Sequence, residues 1–416
     1  MVFIYSVGKW RSKLKQEDLP SSCNYMIISD HLDMVGVELQ STWTQTRKAN
    51  GDIMQKRVSN TINPWKAGKF MPVTMRPWSI NSFALSKVWF RCHSVNLRAS
   101  DVTAITSCVK SWLYADMFEK PSEVIMFRPP SYGGLGILSP KYRATACLIR
   151  SFMETAANPN FRRNHYHDQL FRYHVLAETS LPDPGFPPYY PPEFFATIKK
   201  VKDETPLNIT TMSTSQWSRV LVEDNLTMIT LPDTTREFAP SRVELANPDT
   251  NWQQIWYFAR LKGLGPDHTS FLWKLVHQLL PIKERLHRLS STTSSLCTLC
   301  NENKSEDLTH AFYTCNFNQG AGQELSRVLK QHLPNITMEN IMQLVFEDLS
   351  EEMEFPVVWF SAAFLLAIWE RRTSNKRIRT YEIRAEIEGK ISLLRETRYY
   401  ENVEKLKLLV EGIPIV

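Results

Sequence analysis

Four residues near position 300 have the types and the spacing to hold a metal ion. Cys297, Cys300, His310 and Cys315 read C-x2-C-x9-H-x4-C. Thiolates and neutral imidazole are the ligands zinc prefers, and four of them close a tetrahedron with no position left for water. The chemistry expected is therefore a structural zinc site, not a catalytic one. A redox role for the C-x-x-C pair and an ordinary loop with buried thiols are the competing readings. The His and the third Cys at this spacing favour zinc. The chain has seven cysteines, an odd number with three at one metal-like site, which suits a reducing, intracellular compartment, cytoplasm or nucleus.

The elements that must position these ligands lie on both sides. Upstream, Phe271, Leu272, Leu275, Val276 and Leu279 form a helical apolar stripe that ends at Pro281. Downstream, Val357–Trp369 reads as a buried helix, too short and too interrupted by Ala and Ser to span a bilayer. Arg371–Arg398 then carries nine Lys/Arg against four Glu. That pattern suits a charge-laced exposed helix as well as a nucleic-acid contact.

The combination of an amphipathic helix with Trp273, then Leu280-Pro281-Ile282-Lys283-Glu284-Arg285-Leu286, then the four ligands, resembles the zinc-binding segment that follows the polymerase in LINE-type (non-LTR) retrotransposon reverse transcriptases. Further stretches resemble the same family. Met34–Leu39 is similar to the strand that ends the palm. Trp65, Arg76, Asn81, Leu85, Ser86, Lys87 and Trp89 match the pattern of the thumb, and Gly133-Gly134-Leu135-Gly136-Ile137 matches its continuation, read here as a tight turn onto a following helix. The resemblance covers roughly residues 30–150 and 251–320.

Charge adds to this. The formal net charge is +6, but residues 1–175 carry 23 Lys/Arg against 12 Asp/Glu, residues 176–250 carry 6 against 11, and residues 251–416 carry 20 of each. A local basic surface is the footprint of a polyanion partner. A thumb meets the sugar–phosphate edge of a duplex, so the resemblance implies RNA and RNA–DNA duplex as partners, with target DNA as a further candidate. The candidates for the phosphate contacts are Lys56, Arg57, Lys66, Lys69, Arg76, Lys87, Arg91 and Arg98, each of which alone reads first as a solvated surface charge and which as a group point to phosphate. Nothing in the sequence points to a membrane or a small-molecule substrate.

Tyr114-Ala115-Asp116-Met117 imitates the polymerase Ala-Asp-Asp motif but has Met117 where the second metal-binding carboxylate belongs. The catalytic aspartates are thus expected to be missing, and the chain is expected not to be an enzyme. Residues 176–250 hold ten of the 24 prolines, six in LPDPGFPPYYPP, and read as an acidic extended linker.

The expected fold is mainly α. It comprises a palm remnant (1–40), a thumb-like helical domain (41–175), a Pro-rich acidic linker (176–250), a reverse-transcriptase zinc-binding domain (251–330) and a C-terminal helical region (331–416). The expected function is the nucleic-acid-holding C-terminal portion of a retrotransposon-derived reverse transcriptase with structural Zn2+. The alternative is a domesticated or decayed zinc-containing helical protein-interaction module.

Overall fold

A computed structural model describes residues 2–5, 25–28, 32–34, 36–40, 42–66, 71–157, 165–226 and 241–413, except Thr179, Phe186, Pro188, Pro192, Thr205, Pro206, Gln319 and Arg395. The fold is mainly α, as the periodicity predicts. The chain divides into two compact units. One comprises Met1–Phe70, Arg76–Ala115 and Gly136–Ala239; the other comprises Met71–Met75, Asp116–Leu135 and Pro240–Val416.

The first unit is built on α1 (Trp43–Trp65), α2 (Ala99–Leu113), α3 (Pro140–Ala157), α4 (His165–His174), α5 (Phe194–Glu204) and α6 (Thr214–Leu226). Thr42 caps α1 by accepting a hydrogen bond from the Gln45 amide. Met54, Val58 and Ile62 recur every four residues and are fully buried on α1, which packs against α2, where Ile105, Val109 and Leu113 are also buried. Met34–Leu39, expected as a strand, is a hairpin: Leu32–Met34 pairs antiparallel with Val37–Leu39, and Gly36 turns it at a φ of +76°. The Asn50 side chain, buried on α1, bonds both backbone groups of Glu38 and fixes the hairpin to the helix.

The proline-rich stretch departs from the expectation of extended linker. It contains α5 and α6, and Tyr190, Phe194, Phe195, Ile198, Val201 and Trp217 are buried with Phe152 and Leu170 in one core. Tyr190 and Phe194 stack at 4.3 Å. Tyr190 within the run and Phe194 and Phe195 just after it supply apolar area that outweighs proline's loss of backbone donors. Pro191 itself sits just before α5, where the helix needs no donor from it.

The second unit centres on α9 (Glu351–Thr373), surrounded by α7 (Pro266–Val276), α8 (Ala321–Lys330), α10 (Thr380–Leu394) and α11 (Val403–Glu411). Every residue from Pro356 to Ile368 is buried. A helix that is apolar all round must be covered on all sides. By length and composition α9 is long enough to cross a membrane, unlike the shorter run expected from the sequence, but 78% of its apolar window is buried inside the protein.

Candidate metal centre

The ligands are set by two short segments. The first is a loop closed by backbone pairing: the Cys297 amide donates to the Lys304 carbonyl, and the Glu306 amide to the Ser295 carbonyl. Asn303 takes a left-handed φ of +49° at the loop's return, a conformation Asn tolerates. The amide of Leu299 points at Cys297 Sγ at 3.4 Å, so the turn both places the sulfur and hydrogen-bonds it. The second segment is the wide turn His310–Thr314. Asp307 caps it, accepting from the His310 amide at 2.6 Å. The Cys315 amide then donates to the His310 carbonyl, five residues back rather than four. This i,i+5 spacing leaves the Cys315 sulfur within 4.8 Å of the other three ligand atoms. Such wide turns gather at functional sites.

All four ligand atoms lie within 4.8 Å of one another. Cys297 Sγ and Cys315 Sγ are 3.9 Å apart, and Cys300 Sγ is 3.3 Å from His310 Nε2. A tetrahedral zinc with Zn–S bonds of about 2.3 Å separates its sulfurs by about 3.8 Å, so the donor set fits zinc. His310 presents Nε2 to the cluster, and Thr314 Oγ1 meets Nδ1 at 3.3 Å, which orients the ring. Cys297, His310 and Cys315 are buried and Cys300 is half-buried.

The electrostatics agree. Burial pushes the Cys300 thiol up to about 11, with the neighbouring Cys297 and Cys315 adding to it. Burial also opposes ionisation of Cys297, but the Leu299 and Cys300 amides and the Arg372 guanidinium outweigh it and lower its pKa. Burial, then the Arg372 charge, lowers His310, which is therefore neutral and ready to bind metal at neutral pH. A bound zinc supplies charge that holds the three sulfurs as thiolates and staples the two segments; it leaves no open position for chemistry.

Sequence reasoning missed the partners of these ligands. Arg372 Nη2 is 3.3 Å from Cys297 Sγ, and its guanidinium also reaches Asn318 Oδ1 and Glu306 Oε1, both at 3.2 Å. Arg372 lies in the last turn of α9, beyond its apolar run, and a basic residue there is too common to signal a metal site. The Leu280–Leu286 segment is joined to the ligand loop by the Glu284 amide donating to the Glu306 carbonyl. Upstream of it, Trp273 and His277 both donate to the carbonyl of Gly133, at 2.8 and 2.9 Å. Gly133 takes a left-handed φ of +77° and closes a tight turn from Pro130, as the glycines predict, and Gly133 and Gly134 belong to the unit that holds the metal centre. In the other unit, Asn81 brackets Gly136–Leu138 by bonding the Gly136 carbonyl and the Leu138 amide.

The eight basic residues expected at phosphates are separated by the structure. Lys56, Arg57 and Lys66 are exposed on or just after α1. Lys87 is also exposed, on the helix Ser86–Cys92, and its Nζ is 2.7 Å from Thr61 Oγ1 on α1. Arg76 is not available: it is fully buried and donates to the carbonyls of Leu113 and Trp112 at 2.7 and 3.4 Å. The pattern was right about a basic residue there, but its charge is spent on the C-terminal carbonyls of α2. Arg91 is buried as well, and burial, then the nearby Arg57 charge, lowers its pKa. Arg98 is engaged with Asp101 at 2.6 Å and Asp52 at 3.1 Å. Lys69 lies outside the described residues. Asp116, of the imitation polymerase motif, pairs with Lys274 at 3.4 Å.

No curated protein matches the chain. Residues 241–321 match a family model described as zinc-binding in reverse transcriptase. The match starts at Ser241, ten residues before the boundary expected from the sequence. Ser241 caps the helix Arg242–Ala246 in a reciprocal capping box with Glu244. The buried Glu244 then holds Arg128 in a two-point ion pair at 2.7 and 2.9 Å and accepts from Trp256 Nε1. With its four-ligand cluster, residues 241–321 form a zinc site on a segment similar to the zinc-binding domain of reverse transcriptases.

Proposed function

We propose that this chain is a nucleic-acid-holding part of a LINE-type reverse transcriptase, stabilised by structural zinc. The observation that carries the proposal is the four-ligand cluster within the stretch that matches the reverse-transcriptase zinc-binding family. The basic balance of residues 1–175 supports a polyanion partner. So do the exposed Lys56, Arg57, Lys66 and Lys87 on α1 and the helix beside it. The contacts are with phosphate, so the chain holds RNA or RNA–DNA duplex with little preference for sequence. Tyr114–Met117 takes no part in nucleotide transfer: Met117 cannot hold a metal, and Asp116 is paired with Lys274.

Fluorescence anisotropy of the full-length protein with a labelled RNA–DNA duplex, titrated at several salt concentrations, tests this. Each phosphate neutralised releases counterions, so log affinity should fall linearly with log salt, by about 0.9 per contact on duplex DNA. No binding at low salt, or affinity indifferent to salt, would reject the proposal in favour of a protein-interaction module.

A further inference from the structure

We propose that Arg372 is a positioning residue of the metal centre: it clamps the Cys297 thiolate and balances its charge, so that metal binding is coupled to docking of the last turn of α9. The argument starts from charge. Three thiolates and a neutral imidazole around a divalent zinc leave one net negative charge. Cys297, His310 and Cys315 are buried, and a buried uncompensated charge is costly. The Arg372 side chain is itself only 2% exposed and brings one positive charge to this place, shared between the Cys297 sulfur and the buried Glu306 carboxylate.

Its geometry is that of a clamp. One guanidinium nitrogen, Nη2, reaches both Cys297 Sγ and Glu306 Oε1, and Nη1 reaches Asn318 Oδ1. Each of these partners is held independently. Cys297 and Glu306 are pinned by the backbone pairs that close the ligand loop, and fully buried Asn318 donates to the Ala311 carbonyl at 2.7 Å. Arg372 thus ties together the first ligand, a point within the ligand set and a point after it. A guanidinium suits this role better than an ammonium, because its planar fork serves several acceptors at once. The continuous apolar packing of Pro356–Ile368 fixes the helix that delivers it.

The test compares full-length wild type with Arg372→Met and Arg372→Lys. Three quantities are read: zinc affinity by competition with a chromogenic chelator, the thiolate-to-metal absorption of the cobalt-substituted protein, and thermal unfolding with and without zinc. Removing a group that orients a metal ligand typically weakens binding about 10–100-fold. Arg372→Met should fall in that range, shift the cobalt absorption, and lose more thermal stability with zinc than without it. Arg372→Lys keeps the charge and should recover part of the affinity. If Arg372 serves packing alone, the stability loss will be the same with and without zinc and zinc affinity will equal that of wild type. That result overturns the proposal. Should Arg372→Met fail to fold, Arg372→Lys decides: weakened zinc binding with a shifted cobalt spectrum upholds the clamp, and wild-type values for both overturn it.

Discussion

Trp273 Nε1 lies 2.8 Å from the carbonyl oxygen of Gly133, across 140 residues of sequence. His277 shares the same acceptor at 2.9 Å, and both donors are buried. Gly133 has a φ of +77°, and a Cβ there would stand 2.4 Å from the Trp256 ring. The loop before the matched zinc-binding segment is thus an internal part of the same unit. Replacing Gly133 by Ala combines left-handed strain with a clash. It should destabilise this unit by at least about 3 kcal/mol. Trp273→Phe keeps an aromatic ring but loses the donor and part of the buried indole, and should cost at least about 1–3 kcal/mol. Urea unfolding followed by tryptophan fluorescence of the zinc-loaded protein measures both. Wild-type stability in Gly133→Ala would contradict this packing.

The same acceptor sets a pH dependence. Burial drives the His277 pKa down to about 4, against a donor bond to Gly133 and the Glu244 charge that oppose it. The unfolded chain has an ordinary His, near 6.5, so between about 6.5 and 4 the unfolded state binds a proton that the folded state excludes. Stability from this residue is therefore complete above about 6.5 and declines as the pH falls towards 4. The ceiling is about 3 kcal/mol for a shift of this size. His277→Gln retains a donor for Gly133 but does not titrate. The difference in unfolding free energy between wild type and His277→Gln should move in favour of the Gln protein as the medium is acidified. Acid release of zinc acts on both proteins and cancels in that difference. A difference that stays constant with pH would refute the assignment.

Basic residues of the first unit should separate into two classes. Lys56→Gln, Arg57→Gln and Lys87→Gln together should leave the melting temperature nearly unchanged. They should reduce the salt slope of duplex binding by about 0.9 for each contact removed. Arg76→Gln should do the reverse, because it leaves the carbonyls of Trp112 and Leu113 short of a donor and buries an ill-fitting amide. A loss of about 2–4 kcal/mol in stability is expected. Paired melting curves and anisotropy titrations distinguish the classes. Equal effects of Arg76→Gln and the triple replacement on the salt slope would erase the distinction.

What was legible in the sequence was local. The four ligands fall within 19 residues, and their chemistry admits few partners, so spacing alone brought Cys297, Cys300, His310 and Cys315 together. The apolar stripe from Phe271 was legible for the same reason, but the helix ends at Val276, before Leu279 and the expected stop at Pro281, and Gln278 takes a left-handed φ of +54°. What escaped was set by contacts across long separations. Arg76 and Lys87 look alike in sequence; only the fold buries one and exposes the other. Arg372 is 75 residues from the sulfur it meets. In LPDPGFPPYYPPEFF the proline count suggested a linker, yet Tyr190, Phe194 and Phe195 were the stronger signal, because buried rings contribute more than proline removes.

The central claim is that Cys297, Cys300, His310 and Cys315 hold one zinc that staples this unit. Metal analysis combined with native mass spectrometry of the purified protein tests it most directly, with Cys300→Ser alongside. Cys300 is the least buried of the four, so its replacement disturbs packing least. Wild type should carry one zinc per chain and release protons as it binds, since the Cys300 thiol near 11 must ionise. Cys300→Ser should lose the metal and unfold locally around residues 290–320. No zinc in the wild-type protein, or full occupancy in Cys300→Ser, would contradict the account.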